Sequence, residues 1–376
     1  MAPRRSKSLA RRARKWADRA VLSAVNGFVY ATEGAARPGK NSAASDLVLS
    51  RGKLRLERVR PIRDVEYELG PDVHRISFDR HPTPLMLIPP LMVRPYVYDL
   101  RPEHSMVRTL RNAGFDVFVV DFGVPDRHDE QVRLDDYVLD YVPACVDAAL
   151  GASGAQTLTL AGYCMGGIFS LMHAATHRDA RVRNIVTIGA PVNFTKMRAA
   201  YVASRIGALG IGPLMDVVGN VPGKASSLGF KLMSGARALT KWGDFVANLD
   251  DEGFVRSFDA VNTWVNDLIP YPKEAFKQMV REVVSGNRLI RGGLSFGDKP
   301  CELSAVTQPL LAFAGRSDNI ATPQATAAII DLVASTDKSL VPVSGGHVGV
   351  VAGSAAPEEV WQPMIDWLLP RSRRPA

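Results

Sequence analysis

Short apolar runs alternate with amphipathic segments along most of the 376-residue chain. Most runs are only a few residues long and stop near Gly, Pro or Asp, a pattern typical of buried strands joined by helices. The predicted strands are residues 53–58, 73–78, 84–88, 115–120, 157–161, 184–189, 309–314 and 339–343. The predicted helices between and after them include residues 103–113, 135–150, 323–334 and 357–369. This order indicates an α/β fold with a mostly parallel, doubly wound sheet.

The alternation stops between residues 194 and 302. Helical stretches such as 196–209 and 273–284 occur there, broken by Gly and Pro and carrying scattered aromatic residues. We interpret this part as a helical cap inserted after the sixth predicted strand, with most of its aromatic residues forming its own core. Residues 47–193 and 303–376 would then form the α/β core, and residues 194–302 the cap.

Basic residues are concentrated at the N-terminus. Residues 1–60 hold 15 Lys and Arg against 4 Asp and Glu, whereas the remaining residues hold 31 against 34. This imbalance argues against a nucleic-acid-binding body and predicts a basic arm and linker over residues 1–46. Apolar residues at helical spacing, including Val21, Val25 and Phe28, suggest an amphipathic helix for a membrane, lipid inclusion or partner. A solvated arm is the alternative.

Other features of the sequence narrow the class of protein. The three cysteines have neither the spacing of a disulfide framework nor that of a zinc site, and no run is long and apolar enough for a membrane span. With no signal-peptide pattern, we expect a cytoplasmic protein. His173 and His177 lie four residues apart, but we interpret them as solvated helix residues and predict no metal and no cofactor.

A glycine-rich turn around Cys164 follows one of the apolar runs and precedes a helix predicted over residues 168–175. The pattern is G-x-C-x-G, the nucleophile elbow of α/β-hydrolases with cysteine in place of serine. Gly162 and Gly166 allow the close approach of strand and helix that such a turn needs. The N–H groups at the start of the helix favour a thiolate and a developing oxyanion. A buried structural cysteine is the alternative.

Two further polar residues follow predicted strands. Asp318 comes after the run at 309–314, and His347 comes after the run at 339–343. The order nucleophile, acid, histidine is that of the α/β-hydrolase triad. His347 would take the proton of the Cys164 thiol, and Asp318 would orient His347 and stabilise its imidazolium form. Asp121, which also ends a strand, is the weaker alternative for the acid.

The oxyanion needs two backbone donors. The N–H of Met165 is one of them, because it follows the nucleophile. The other is expected just after the strand at 84–88, where either Leu91 or Met92 would supply it. The sequence leaves this choice open.

Several of these segments together resemble the polyhydroxyalkanoate synthases, most closely the short class III type. The similarity extends over roughly residues 40–370. The matching segments are residues 162–167 (GYCMGG), 94–96 (RPY) with 99–100 (DL), 119–126 (VVDFGVPD), 134–137 (LDDY), Trp264 in the cap, and 345–349 (GGHVG).

The resemblance implies an acyltransferase that builds a polyester from (R)-3-hydroxyacyl-CoA and releases CoA. Cys164 would carry the acyl group or chain as a thioester, His347 would activate the thiol, and Asp318 would help activate the 3-hydroxyl of the substrate. The CoA thioester is a substrate, so no cofactor is implied. Class III enzymes work with a second subunit, and we also expect a homo-oligomer. A cysteine-dependent thioesterase, or a granule-associated relative that does not polymerise, is the alternative.

Overall fold

The computed structural model describes most of the chain. The described residues are 4–32, 43–62, 64–69, 72–76, 78, 80–197, 211–233, 242–243 and 245–372. Most of the predicted linker over 34–46, and residues 198–209 of the helix predicted at 196–209, therefore lie outside the described residues.

Eight strands of the described residues form the main sheet, in the order β1-β2-β6-β5-β7-β8-β11-β12. Only the β1–β2 and β2–β6 pairs are antiparallel, so the predicted α/β fold with a mostly parallel sheet is confirmed. The strands of this sheet are β1 (Ser45–Arg51), β2 (Leu54–Val59), β5 (Leu85–Ile88), β6 (Val117–Asp121), β7 (Leu158–Tyr163), β8 (Val182–Ile188), β11 (Leu310–Gly315) and β12 (Lys338–Val343).

The strand predicted at 73–78 does not belong to the main sheet. Its residues contribute to β4 (Asp72–Ile76), which pairs only with β3 (Val65–Leu69) in a separate antiparallel hairpin. A second small hairpin pairs β9 (Ser295–Phe296) with β10 (Lys299–Pro300). Alternation of polar and apolar residues predicted the strand at 73–78, but this pattern does not show which sheet a strand joins.

Helices of the described residues flank the sheet and build the predicted cap. They are Arg4–Thr32, Met106–Asn112, Leu134–Asp136, Val142–Ser153, Met165–His177, Ile211–Val218, Gly223–Met233, Glu252–Asn266, Lys273–Gln278, Arg288–Arg291, Pro323–Ala327, Ile329–Leu332, Gly349–Ala352 and Gln362–Arg371. Segments with the wider π-helical turn occupy Tyr137–Tyr141, Met279–Ser285 and Pro357–Trp361. Short 3₁₀ turns occupy Pro95–Tyr98, Arg127–Asp129, Phe194–Lys196 and Leu303–Ala305.

The sheet is buried on both faces. Every residue of β5, β7 and β11 is buried, as expected for central strands that helices cover on both sides. Side chains alternate between two hydrophobic clusters: Met86 and Ile88 face one, and Leu85 and Leu87 face the other. Cys164 packs at the boundary between the two clusters. The nucleophile predicted from the sequence thus lies at the carboxyl-terminal end of the central strand β7, where the two hydrophobic clusters meet.

Between β8 and β11, the described residues add no strand to the main sheet. The aromatic residues of this part differ in their surroundings. Trp264, Tyr271 and Phe296 are fully buried, whereas Trp242 has 45% of its surface exposed. Tyr271 and Phe296 pack in one of the two clusters beside the sheet and Trp264 in the other, so these three do not form a separate core of the predicted cap. The boundaries given above for core and cap stay predictions.

The N-terminal helix, Arg4–Thr32, packs against the region predicted as the cap. Arg19 forms a bidentate ion pair with Asp250, at 2.6 and 3.0 Å. The ring of Tyr30 lies 4.8 Å from that of Phe245. The second half of this helix is therefore not a freely solvated arm. No helix in the described part of the chain is long and apolar enough to cross a membrane.

Candidate active site

The turn after β7 places Cys164 at a sharply bent position of the backbone. Its φ of 50° and ψ of −117° lie outside the regions that non-glycine residues usually adopt. The N–H of Cys164 still donates to the carbonyl oxygen of Ile188 at 2.8 Å, which continues the pairing with β8. The following helix, Met165–His177, begins directly after the cysteine and is longer than the predicted segment 168–175. Such strain is typical of a nucleophile held at the top of a sheet.

Glycines permit this turn for a steric reason. A Cβ at Gly162 would lie 2.2 Å from the carbonyl carbon of Gly166, and a Cβ at Gly166 would lie 1.8 Å from the carbonyl oxygen of Ile88. Both distances are far inside van der Waals contact, so no side chain fits at either position. The helix that carries the elbow can therefore approach β5 closely only because Gly162 and Gly166 are glycines.

The structure brings the three predicted triad residues together. The Nδ1 atom of His347 lies 2.7 Å from the Oδ2 atom of Asp318, and a further hydrogen bond joins His347 to Cys164. Because Asp318 occupies Nδ1, Nε2 is the ring nitrogen available to the thiol. The other carboxylate oxygen of Asp318 accepts the N–H groups of Ile320 and Ala321 at 2.8 and 2.9 Å. These bonds fix the carboxylate, which in turn fixes the ring.

The charges around His347 favour its protonated form. Burial of the ring opposes protonation, but the charges of Cys164 and Asp318 and hydrogen bonds to both raise the pKa of His347 to about 10. The site therefore favours transfer of a proton to the ring. This arrangement suits a base that takes the thiol proton and later returns it to a leaving group.

Two tyrosines that the sequence analysis did not select hold the histidine loop and the elbow. The hydroxyl of Tyr163 donates to the carbonyl oxygen of His347 at 3.1 Å, and the two rings are 5.1 Å apart. The hydroxyl of Tyr98 accepts the N–H of Tyr163 at 3.2 Å and donates to the carbonyl oxygen of Ile88 at 2.7 Å. Tyr163 belongs to the matched segment 162–167 and Tyr98 lies between the matched segments 94–96 and 99–100, but nothing in the sequence shows that they meet.

The predicted oxyanion donors lie at the start of the elbow helix and in the loop after β5. Met165 starts the elbow helix, and the hydroxyl of Tyr271 donates to its sulfur at 3.2 Å. Leu91 is buried, while Met92 packs against both clusters, as Cys164 does. The carbonyl of Met92 accepts the N–H of Ile269, at 3.0 Å. The role of these N–H groups, and the choice between Leu91 and Met92, stay predictions.

Asp121 does not contact the histidine. It ends β6, which β5 separates from β7 in the sheet, and its carboxylate accepts the N–H of Gly123 at 2.8 Å. Burial raises the pKa of this carboxyl group. It lines a different cavity, of about 200 Å³, together with Glu57 and Arg94. The position of Asp121 therefore gives no support to its role as the triad acid.

The interpretation of His173 as a solvated residue is wrong. Only 1% of its surface is exposed, and its ring stacks on that of His177 at 4.8 Å. Its Nε2 atom lies 3.6 Å from the carboxylate of Asp179, too long for a good hydrogen bond. Helical spacing alone could not show which face of the elbow helix is covered. Cys145 is buried, as the sequence predicts, and Cys301 is buried as well.

Comparisons with known proteins agree with this geometry. A family model described as the alpha/beta hydrolase fold matches residues 98–353. A structure of a candidate lipase from Sulfolobus solfataricus gives a TM-score of 0.51 at 15% identity, covering 87% of this chain and 99% of that one. At this identity the likeness concerns the fold alone. The α/β-hydrolase fold predicted from the sequence is thereby confirmed.

Two relatives define the family more narrowly. The chain is 32% identical to the poly(3-hydroxyalkanoate) polymerase subunit PhaC of Haloferax mediterranei over 332 residues, which cover 87% of this chain and 64% of that protein. It is also 32% identical to the corresponding subunit of Allochromatium vinosum over 291 residues, which cover 77% and 81%. The chain thus spans less than two thirds of the Haloferax protein and about four fifths of the Allochromatium one. On this similarity, and on an elbow cysteine beside a histidine–aspartate pair, the chain belongs to the PhaC family of poly(3-hydroxyalkanoate) polymerases within the α/β-hydrolase fold.

Proposed function

We propose that this protein polymerises (R)-3-hydroxyacyl groups from CoA thioesters into a polyester, with Cys164 as the acyl carrier. The observation that carries the proposal is the contact of His347 with both Asp318 and Cys164 at the carboxyl edge of the sheet. The relatives named above are described as poly(3-hydroxyalkanoate) polymerases, and their names supply the substrate class.

The first step is acylation of Cys164. His347 takes the thiol proton, and the thiolate attacks the carbonyl carbon of the hydroxyacyl-CoA thioester. The N–H of Met165 and a second N–H at Leu91 or Met92 stabilise the oxyanion. As the tetrahedral intermediate collapses, the bond to the CoA sulfur breaks and the CoA thiolate takes the proton from His347. The product is an acyl thioester on Cys164, which keeps the energy of the original thioester.

The second step forms the ester bond. The 3-hydroxyl of another hydroxyacyl unit loses its proton to the Asp318–His347 pair, and its oxygen attacks the carbonyl carbon of the Cys164 thioester. The carbon–sulfur bond breaks, an ester forms, and the released cysteine sulfur takes the proton back. Water would give a free hydroxy acid at this step, so polymerisation requires that the site exclude it.

The cap covers the site closely enough to support this requirement. Cys164 itself is only partly exposed, and Trp264 is 1% exposed. The ring of Phe230 lies 6.1 Å from that of His347 and 6.5 Å from that of Trp264. These aromatic rings form an apolar wall beside the base. This wall favours ester formation over hydrolysis, which is the alternative chemistry for the same triad.

The test is turnover of (R)-3-hydroxybutyryl-CoA by the purified chain, with CoA release and product followed together. We expect polyester from the wild type and none from Cys164→Ala. Cys301→Ala is the matched control, because this cysteine is buried beside the carbonyl of Met172 and lies outside the triad. Free 3-hydroxybutyrate in place of polymer would support the thioesterase. Absence of turnover would contradict both enzymes and would leave the non-polymerising relative.

We further propose that the N-terminal helix, Arg4–Thr32, attaches the protein to the surface of a polyester granule. Asn26 and Tyr30 face the cap, whereas Val25 and Phe28 are 52% and 67% exposed. The helix therefore presents apolar side chains to solvent, and such side chains bind an apolar surface. A second synthase subunit and a homo-oligomer stay predictions from the family resemblance.

Sedimentation with amorphous polyester granules tests this attachment. We expect Val25→Asp to weaken granule binding by about tenfold, since it places a charge in the apolar face. Val217→Asp is the matched control, because Val217 is 87% exposed and lies in a different helix. Equal binding of the two variants would refute the attachment, and so would binding of the wild type to anionic phospholipid vesicles but not to granules.

A further inference from the structure

A cavity of about 660 Å³ lies between the predicted cap and the segment that follows His347. Its volume falls within the range of roughly 300–1,000 Å³ that ligand sites in proteins occupy. One wall is the helix Glu252–Asn266, and the other is the helix Gly349–Ala352 with its flanking residues. None of the triad residues lines it, so it is a separate compartment beside the site.

The cavity begins next to the catalytic base. Val348, the residue after His347, lines it. So does Phe230, whose ring is 6.1 Å from the ring of His347. Phe230 also packs against both hydrophobic clusters at the boundary where Cys164 lies. The ring of Phe230 thus lines the cavity and also lies beside the ring of His347, a position from which it could control passage between them.

The lining suits an uncharged chain that carries both apolar and ester groups. Most of the wall is apolar, and its apolar members are Phe230, Phe254, Phe258, Val261, Val265, Val348 and Ala352. Hydrogen-bonding groups are interspersed among them, at Ser257, Asn262 and His104. A polyester repeats in the same way, with an alkyl group and a carbonyl acceptor in every unit. This alternation fits an ester chain better than a purely aliphatic one.

The cations at this cavity are already engaged. The guanidinium of Arg101 donates to the hydroxyl of Ser257 at 2.7 Å and lies 3.5 Å from the carboxylate of Glu103. The Lys231 ammonium group donates to the side chain of Asn266 at 2.6 Å. Nucleotide phosphates require cations or backbone N–H groups that are free to bind them. The surroundings therefore favour the acyl chain over the nucleotide end of CoA.

We propose that this cavity holds the growing polyester chain while its end is attached to Cys164, with Phe230 as the gate between them. The proposal rests on the polymerase function proposed above. In this proposal the helix Glu252–Asn266 contacts the growing polyester. The first units formed then remain inside the protein.

Binding of a soluble trimer of (R)-3-hydroxybutyrate tests the cavity without turnover. The protein is Cys164→Ala, so that no acyl enzyme forms. We expect Val261→Trp in that background to weaken trimer binding by at least about tenfold, because the indole fills the cavity. Leu228→Trp is the matched control, since Leu228 is 59% exposed, lies two residues before Phe230 in the same helix and does not line the cavity. Equal trimer affinity in the two variants, or no trimer binding to Cys164→Ala, would overturn the proposal.

A second variant, Val261→Ala, tests the cavity even if Val261→Trp does not fold. Val261→Ala enlarges the cavity, so we expect affinity for a trimer with longer alkyl side chains to rise by about threefold relative to the hydroxybutyrate trimer. An unchanged ratio would count against the cavity as the chain site.

Intact-mass analysis of the acyl enzyme then separates this proposal from the polymerase function. With Cys164 present, we expect the wild type to carry a series of hydroxybutyryl units and Val261→Trp to stop after one or a few. Full-length chains on Val261→Trp would refute the cavity while leaving the polymerase intact. A wild type that binds the trimer but never becomes acylated would contradict the polymerase instead.

Discussion

At the scale of single residues, the chemistry depends on how His347 is held. The ring is 6% exposed, and both Asp318 and Cys164 bond to it. Asp318 is itself bound by two backbone N–H groups, so it cannot turn away from the ring. A buried imidazolium would be costly alone, but its hydrogen bonds to Asp318 and Cys164 offset part of the lost hydration. The same interaction makes the stability of the fold depend on pH.

This pH dependence follows from the raised pKa of His347. The folded pKa is about 10 against an ordinary value of 6.5, so the folded state keeps a proton that the unfolded chain releases. The resulting stabilisation is complete below about pH 6.5 and is lost as the pH rises toward 10. We expect Cys164→Ser to show a smaller fall in the free energy of unfolding over this range, because it removes the strongest raising charge. Urea denaturation at a series of pH values measures this fall in the free energy of unfolding.

His128→Gln is the control for this experiment, because the side chain of His128 is 93% exposed. It should retain the pH dependence of the wild type. If the free energy of unfolding of Cys164→Ser falls as much as that of the wild type between pH 6.5 and 10, Cys164 does not act on His347 as described.

At the scale of elements, β7, the elbow and the helix Met165–His177 together position Cys164. Residues 165–176 of this helix are all buried, because it lies against the central strands. The approach is closest at Gly166, which faces the carbonyl of Ile88 at the end of β5. The same strand end leads into the loop with the predicted second oxyanion donor. The distance between the predicted nucleophile and the predicted second oxyanion donor thus depends on the close contact of Gly166 with Ile88.

Gly166→Ala should therefore be strongly destabilising. The added Cβ would lie 1.8 Å from the oxygen of Ile88, and neither backbone can move without disturbing the sheet. Overpacking of this kind costs about 1–3 kcal/mol or more. Thermal denaturation followed by circular dichroism should show a lower Tm, or no folded protein at all.

Gly151→Ala provides the matched control. Gly151 lies inside the helix Val142–Ser153, and nothing lies within 4 Å of a Cβ placed there. Alanine in a helix interior is favoured over glycine by about 0.5–1 kcal/mol, so this variant should be as stable as the wild type or more so. A lower Tm for Gly151→Ala than for Gly166→Ala would contradict the steric argument.

At the scale of the whole molecule, the predicted cap is tied to the core beside the nucleophile. The carboxylate of Asp267 accepts the hydroxyl of Tyr96 and pairs with Arg94, both at 2.9 Å. The N–H of Ile269 donates to the carbonyl of Met92 at 3.0 Å. These hydrogen bonds and this ion pair therefore join the predicted cap to residues 92–96, which follow the end of β5. Movement of one is expected to move the other.

Asp267→Ala should loosen this connection, because Tyr96 and Arg94 would lose their shared partner. We expect faster hydrogen exchange in residues 91–97 and 263–271, measured by mass spectrometry, with little change in β7 and β8. Asp298→Ala is the control, since Asp298 is exposed and lies in the β9–β10 hairpin. Unchanged exchange at residues 91–97 would show that the loop holds its position without the cap.

The order of elements and the residues of the candidate site were within reach of the sequence. Short apolar runs alternating with amphipathic segments predict a parallel sheet, because burial on both faces demands apolar strands. The G-x-C-x-G turn marks the nucleophile, since only glycine fits beside it. Asp318 and His347 were predictable because each follows a strand, and parallel strands bring their carboxyl ends to one edge.

Other features became visible only in the tertiary structure. Periodicity does not show which sheet a strand joins or which helix face is covered, so the pairing of β4 with β3 in a separate hairpin and the burial of His173 were missed. Tyr163 and Tyr98 support the site through contacts between residues distant in the chain. The cavity beside Phe230 is lined by segments distant in the chain, from Arg101 to Ser354. The sequence alone determined which residues form the candidate site, because spacing and residue type are local. Folding decided its surroundings, because those depend on long-range packing.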